Sequence, residues 1–469
     1  MKLRTNAPEF YNEISESIRA FTEADKIELT EEPAEIEVMR HVEDGSVYVR
    51  AVYRGAVGES REELPMQETA QERVIKRCVK LAVYFSLKKY TGRQLPWGSL
   101  TGIRPTKLAR EYAGTGKVSR ILLEKYDLPV EKGELLEEIC SNQQEFYSPQ
   151  EEEIDVYIGI PFCRTRCTYC SFSSTDSTKG EKLMTPYVEA LLKEMEQTAK
   201  MLEERNRRLR CLYIGGGTPT ALTEALFEQM LRSACRVFRP QKEFTVEAGR
   251  PDTVTEHKLR VMKECGVSRI SINPQSMNLR TLEKIGRSHS PEDIVRCFEA
   301  ARSIGFRTVN ADIIAGLPEE TPEMFFSTLS QVLALKAENI TVHTLALKRG
   351  SLMAERGLCG SDASAVQQMV EGAQQILRPR GYRPYYLYRQ KYMTGNFENI
   401  GYALPGHTGV YNIDIMEETT DIAAVGCGAV SKRILRREGR IERAFNFKSI
   451  YEYIRRIDEV QERKKALFS

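Results

Sequence analysis

The feature that most limits what this 469-residue chain can fold into is a rhythm that starts near residue 151. Six short apolar runs follow one another: DVYIGI (155–160), CLYIGG (211–216), EFTVEA (243–248), SRISIN (268–273), TVNADIIAG (308–316) and ENITVHTL (338–345). Between them lie stretches with apolar residues at helical spacing, such as YVEALLKEMEQTAKMLEE, EALFEQMLRSACRVF and PEDIVRCFEAARSIGF. Strand runs alternating with amphipathic helices specify parallel β/α units. The expectation is an α/β fold with a partial (β/α)6 barrel, or an open sheet, over residues 151–345. Either form gathers functional groups at the C-terminal ends of the strands.

The flanks read differently. Residues 1–150 suggest an N-terminal α+β module. Two strands surround the Asp44-Gly45 turn within 35–53, and Val74, Cys78, Leu81 and Phe85 mark one face of a helix over 71–90. The segment WGSLTGIRPTKLAREYAG then reads as a Gly/Pro-punctuated loop entering a helix. Residues 346–469 suggest a C-terminal cap domain over the barrel mouth, opening with a helical stretch (AVQQMVEGAQQILRPRGY). Within it, KRILRREGRIER (432–443) reads as a solvated helix.

Composition excludes several classes. Hydrophobic residues make up 41% and charged residues 29%, so collagen-like and wholly disordered chains are ruled out. No run approaches eighteen consecutive apolar residues, so no membrane span is expected. The first twenty residues carry acids and no apolar core, unlike a secretory signal. A cytoplasmic location follows, where thiols stay reduced. The formal charge of +2 hides an asymmetry. Residues 1–72 hold 8 basic and 17 acidic side chains, a net of −9; residues 73–125 hold 13 and 2, a net of +11. Either the basic stretch faces a polyanion (RNA, or a small molecule with several carboxylates), or the two stretches pack together and neutralise each other.

Three of the eleven cysteines lie within eight residues, directly after the first strand run: Cys163, Cys167 and Cys170 in PFCRTRCTYCSF. Thiolates spaced C-x3-C-x2-C on a short loop can grip three irons of a [4Fe–4S] cluster. No fourth Cys or His lies close by, so one iron stays open for a bidentate ligand. A structural zinc would want four protein ligands. The other eight cysteines read as small core hydrophobes, with Cys427, between Gly426 and Gly428, the one to check. The five histidines form no ligand pair by spacing and read as core or surface residues.

A CxxxCxxC loop after the first strand of a β/α chain resembles the radical S-adenosylmethionine enzymes. The resemblance implies that the open iron binds the cofactor's amino and carboxylate groups. It further implies that an electron from the cluster splits the sulfonium, giving a hydrogen-abstracting 5′-deoxyadenosyl radical. In IGGGTPT, Gly215, Gly216, Gly217 and Thr218 resemble the family's site for the methionyl amino group. Glu247, in TVEAGRPD, matches the acid that holds ribose hydroxyls. Gln275, Arg287 and Asp312, in INPQSMN, GRSHS and NADIIAGLP, match further cofactor contacts. Tyr157 matches a first-strand tyrosine near cluster and cofactor, read as catalytic, and Tyr169 resembles an aromatic beside the adenine.

Over residues 151–435 this set is similar to the oxygen-independent coproporphyrinogen III oxidases. With LTGIRPTK, EAGRPD and NPQSMN it resembles the variant called coproporphyrinogen dehydrogenase. That family implies oxidative decarboxylation of two propionates of coproporphyrinogen III to vinyls, giving protoporphyrinogen IX. It also implies a flavodoxin- or ferredoxin-like reductant and no nucleic acid. Two departures stand out. Phe172 occupies the position where the best-known members carry a fourth cysteine, an absence shared with the haem-chaperone branch. Gly249-Arg250-Pro251 replaces the usual Asn/Asp-Pro, and Arg250 becomes a candidate partner for a substrate carboxylate. The alternatives are a haem-binding or haem-delivering protein, an RNA-modifying radical enzyme and a haem-opening radical methyltransferase.

Overall fold

The computed structural model describes the chain apart from residues 23–25, 102–103, 173, 179, 349, 392 and 437, and apart from the side chains of 68 and 69. Gly102 and Ile103 of the LTGIRPTK segment therefore lie outside the described residues. Two units emerge, Met1–Glu137 and Glu138–Ser469. The boundary falls within the helix Val130–Asn142.

The first unit holds a sheet of β1 (Lys2–Thr5), β2 (Glu28–Leu29), β3 (Ile36–Glu43), β4 (Ser46–Tyr53) and β5 (Ala56–Glu63), in the order β2-β1-β3-β4-β5. Asp44 and Gly45 both take positive φ, 49° and 69°, as a two-residue hairpin turn between β3 and β4 requires. The sheet's apolar face (Val38, Val47, Val49, Ala51) packs on the helix Glu68–Thr91 through Cys78, Val79, Ala82 and Val83. Inside this unit Lys76 pairs with Glu13 at 2.8 Å and Arg77 with Glu62. Part of the basic excess of 73–125 is thus met by the acidic stretch.

The second unit is built on β6 (Glu153–Ile160), followed by a short parallel pair, β7 (Phe162–Cys163) and β8 (Thr175–Asp176). The main strands continue with β9 (Arg208–Gly216), β10 (Glu243–Gly249), β11 (Arg269–Ile272), β12 (Thr308–Ala315) and β13 (Asn339–Thr344). These six long strands are parallel neighbours in chain order, with helices between them, as the sequence rhythm requires. The sheet curls rather than lying flat: the Glu247 carboxyl on β10 senses Asp312 on β12 and His343 on β13, while Tyr157 on β6 senses Glu247.

Much of residues 346–469 joins the sheet of the barrel. They supply β14 (Arg383–Tyr388) and β15 (Asn399–Ala403), which extend the sheet beyond β13, and β16 (Asp421–Val425), β17 (Val430–Leu435) and β18 (Arg440–Phe445), which extend it beyond β6. The reason is that an open barrel leaves two unpaired strand edges, and these aromatic and apolar segments cover both. The KRILRREGRIER run is accordingly a β17–β18 hairpin and not a helix, with Ile434 opposite Ile441.

One C-terminal piece closes the floor instead. The helix Val410–Glu417 sits against the N-terminal ends of the strands. Arg210 donates to Asp414 at 2.8 Å, and the Val410 amide donates to Glu243 at 2.7 Å. Beside it, the His407 carbonyl accepts from Arg269 at 2.8 Å. Among the described residues, no helix is long and apolar enough to cross a membrane.

Candidate active site

The lumen of the barrel can be read from burial along the strands. Within buried stretches, β6, β9, β10, β12 and β13 each present one half-buried interior residue: Tyr157, Tyr213, Glu247, Asp312 and His343. These five side chains face one another. Tyr213 donates to Glu247 Oε1 at 2.5 Å. Asp312 Oδ2 lies 3.6 Å from His343 Nε2, and Asn310 donates to Asp312 Oδ1 at 2.8 Å. His343 Nδ1 is 3.3 Å from the Tyr388 hydroxyl. Tyr157 stacks on Tyr213 at 6.2 Å, and Tyr213 on Tyr411 of the floor helix at 4.4 Å.

The two acids are tuned in opposite directions. Burial pushes Glu247 up to about 7, and the negative Asp312 adds to this; the Tyr213 hydroxyl and His343 act the other way. Burial alone would raise Asp312 too, but hydrogen bonds from His343, Asn310 and Thr341 outweigh it and hold Asp312 below the usual range.

The cysteine loop crosses the C-terminal ends of these strands. Its start is fixed by the β7–β8 pair and by Thr218, whose amide donates to the Phe162 carbonyl at 2.7 Å and whose hydroxyl lies 3.6 Å from Cys163 Sγ. Its middle is fixed by the Thr168 amide, which donates to the Ile285 carbonyl at 3.0 Å. Burial raises the Cys163 and Cys170 thiols, and both sense Cys167 as a further raising charge, so the three sulfurs converge. Tyr169, inside the loop, packs against an apolar cluster that includes Leu282, Ile285 and Leu317.

The loop and the lumen meet at the three glycines. A Cβ on Gly215 would lie 3.1 Å from the Glu247 carboxyl, and one on Gly217 would lie 2.9 Å from Cys163 Sγ. Gly216 adopts φ 113°, open to glycine alone. Gln275 follows β11 with φ 66°, a strained value for this residue type; its amide donates to the Asp312 carbonyl at 2.9 Å, and its buried Oε1 has no partner. Arg287 donates to the Asn273 carbonyl at 2.5 Å and contacts Tyr169 and Cys167, while its buried Nε has no partner. Three converging thiols, a bare glycine edge and unsatisfied buried polar atoms fit a cluster with a polar cofactor beside it.

Arg250 does not reach for a substrate. It is 3% exposed, and all five of its N–H groups are engaged: with both carboxylate oxygens of Asp252 at 3.0 Å, the Thr165 carbonyl at 3.0 Å and hydroxyl at 2.7 Å, and Ser288 at 3.3 Å. Asp252 meets it bidentately two residues on, so the guanidinium clamps the cysteine loop instead. Arg250→Lys keeps the charge but loses the fork. It should lower stability by about 2 kcal/mol, the worth of roughly two hydrogen bonds, read as a lower urea midpoint, and should speed iron loss.

Sequence reasoning missed Tyr213, Tyr411, Asn273 and His343. The available signal was register. Tyr157 and Tyr213 are direct partners across β6 and β9, and each precedes the lumen-edge glycine by two residues. Cys427, flagged for a check, donates to the Lys448 carbonyl at 3.1 Å and is pushed up to about 12 by burial, as an inert thiol would be.

Comparison with known proteins bears on the family and the fold. The family described as the Radical SAM superfamily matches residues 157–332. The chain is 39% identical over 415 residues to the oxygen-independent coproporphyrinogen-III oxidase-like protein HemZ of Bacillus subtilis (strain 168), spanning 85% of this chain and 82% of that one. It is 30% identical over 293 residues to the heme chaperone HemW of Escherichia coli (strain K12), spanning 62% of this chain and 72% of that one. Among solved structures, the coproporphyrinogen III oxidase HemN of Escherichia coli, a radical SAM enzyme, shares the fold with a TM-score of 0.52 at 23% identity, over 68% of this chain and 72% of that one.

Proposed function

Since the chain belongs to the oxygen-independent coproporphyrinogen III oxidase-like family of the radical S-adenosylmethionine superfamily, we propose that it converts propionate side chains of coproporphyrinogen III to vinyl groups. Each turnover would remove one hydrogen atom from the β carbon of a propionate; loss of carbon dioxide and one further electron then leaves the vinyl. Two turnovers give protoporphyrinogen IX. The superfamily's cofactors are a [4Fe–4S] cluster and S-adenosylmethionine. Bound together, they supply the radical that abstracts the hydrogen.

The observation that carries this reading is the junction of the three-thiol loop with the ring of lumen side chains. Cys163, Cys167 and Cys170 would hold the cluster. Gly215, Gly216, Gly217 and Thr218 leave a backbone edge for the cofactor's amino group. Glu247 would accept hydrogen bonds from ribose hydroxyls, Gln275, Arg287 and Asp312 would be further cofactor contacts, Tyr169 would lie beside the adenine, and Tyr157 would act as the catalytic tyrosine. The floor helix, with Tyr411 against Tyr213, closes the lumen from below and helps keep water from a radical intermediate. An electron-transfer protein of flavodoxin or ferredoxin type would reduce the cluster.

A second reading is haem binding or delivery. Phe172 is 67% exposed where a fourth cysteine would stand, and a relative at 30% identity carries the chaperone name. One experiment separates the two. Cluster-reconstituted protein is incubated anaerobically with coproporphyrinogen III, S-adenosylmethionine and a reductant. Vinyl product with matching 5′-deoxyadenosine supports the decarboxylase. Tight haem binding without vinyl product supports delivery. A salt-dependent affinity for RNA would instead revive an RNA substrate.

A further inference from the structure

Two cysteines outside the lumen lie together. In a parallel β/α chain each helix runs back against its strand, so neighbouring helices end beside the starts of the strands. The helices Glu224–Val237 and Glu256–Glu264, which lead into β10 and β11, are two such neighbours. Cys235 lies in the last turn of the first, and Cys265 caps the end of the second. Topology thus brings thiols that are distant in sequence to the same end of the barrel, opposite the end that carries the Cys163 loop.

Local contacts fix the pair. Arg232, one turn before Cys235, is bridged to Glu264, the residue before Cys265, at 2.7 Å. The Arg232 carbonyl accepts from the Cys235 thiol at 3.3 Å. The Cys235 and Cys265 thiols also meet each other in a hydrogen bond. Both line one surface pocket of about 310 Å³. Both are half-buried, whereas Cys78, Cys211 and Cys297 are buried as core residues are. Two thiols that touch and open onto one pocket are poorly explained as core filling.

The pair is asymmetric. Burial pushes the Cys265 thiol up to about 12, and the adjacent Cys235 adds to this. Cys265 is therefore protonated at ordinary pH, and a first nucleophilic attack falls to Cys235. Capping Cys235 removes the neighbouring charge that opposes ionisation of Cys265. The pocket wall is basic. Arg239 and Lys242 line it and are exposed. Glu243 lines it too, but its carboxylate is committed to the Val410 amide and the Thr245 hydroxyl, each at 2.7 Å.

We propose that Cys235 and Cys265 form a reversible dithiol–disulfide site that reacts with small, carboxylate-bearing disulfides of the glutathione class. The Cys235 thiolate attacks one sulfur of the small disulfide, forming a mixed disulfide and releasing one thiolate. Cys265 then gives up its proton and attacks the Cys235 sulfur, which forms the intramolecular link and releases the second thiolate. Two protein thiols lose two electrons and two protons in all, and the small disulfide is reduced to two thiols. The site goes beyond the radical reaction proposed above and does not depend on it.

The test equilibrates cluster-reconstituted protein anaerobically with mixtures of reduced and oxidised glutathione. Free thiols are alkylated, and the chain is cut with trypsin, which releases Cys235 in SACR (233–236) and Cys265 in ECGVSR (264–269). As oxidised glutathione rises, both alkylated peptides should disappear together and a linked SACR–ECGVSR species should replace them. That is a loss of two alkylatable thiols per chain, and dithiothreitol should reverse it. Cys265→Ser should halt the reaction with glutathione on Cys235, and Cys235→Ser should leave Cys265 open to alkylation. Two free peptides at the highest oxidised fraction refute the dithiol site. So does glutathione on each cysteine without a link, or a link from either one to a third cysteine. Oxidised glutathione should also form the link faster than cystamine, a cationic disulfide, by a margin that shrinks with salt. Cystamine reacting as fast refutes the docking role of the basic wall. Each result is read independently of any vinyl product.

Discussion

Gly217→Ala should leave the chain folded and strip it of iron. The added methyl would sit 2.6 Å from the Phe162 carbonyl oxygen, 2.9 Å from Cys163 Sγ and 3.1 Å from the Ile160 carbonyl oxygen. Two of these are backbone atoms of β6–β7, which cannot swing aside as a side chain can. The Gly217 amide also donates to the Ile160 carbonyl at 2.7 Å, so the β9 edge is tied to the strand that launches the cysteine loop. The methyl must displace Cys163 or pull β9 from β6. Either move spoils the spacing of three thiols, and a cluster held by three has no ligand to spare. Iron per chain should fall to near zero and activity to background, as for Cys163→Ala. The far-UV circular dichroism should stay that of wild type, because the clash lies at strand ends. An iron-replete Gly217→Ala protein would show that the glycine edge and the cluster loop are not in contact.

How far the sequence led depended on whether a property was local. The six lumen strands were legible because short apolar runs between amphipathic helices have few alternatives; the run from Cys211 became β9, Arg208–Gly216, extended only at its polar end. The convergence of the three thiols was legible because they fall within eight residues of one another. The strand pairing of the C-terminal third was not legible for a physical reason: whether an aromatic segment pairs with a sheet edge depends on that edge, which lies far away in sequence. β16 pairs with β6, joining Asp421 to Ile154. The charges of 432–443 suggested a solvated helix, yet a sheet-edge hairpin exposes charge equally well.

Side-chain roles follow the same division. Arg250 looked available because arginines near a mouth often are. Its role is decided by Asp252 two residues on and by Thr165 of the cysteine loop, 85 positions away. His343 looked inert because no spacing rule links it to Asp312, although β12 and β13 bring them to 3.6 Å.

Glu247→Gln should flatten two pH dependences at once. In the folded protein burial, aided by the charge of Asp312, raises this carboxyl from 4.5 to about 7. The folded state therefore binds more protons than the unfolded state between those values, and stability falls as pH rises through that window. A glutamine has no such proton, so its unfolding midpoint should vary less between pH 5 and about 7. Cofactor affinity runs the other way. Only the ionised carboxylate accepts hydrogen bonds at both oxygens, and Tyr213 already occupies Oε1 at 2.5 Å. Wild-type affinity for S-adenosylmethionine should therefore increase as pH rises through about 7, and the glutamine variant should be flat and weaker. The loss at high pH should be about 10- to 100-fold, the range for one or two charge-assisted hydrogen bonds. Tyr213→Phe supplies the internal check. Removing its hydroxyl withdraws an interaction that lowers the carboxyl, so the wild-type midpoint should move upward with the high-pH affinity largely kept. A pH profile unchanged in both variants would mean that Glu247 does not meet the cofactor, and would leave the acid as a purely structural partner of Tyr213.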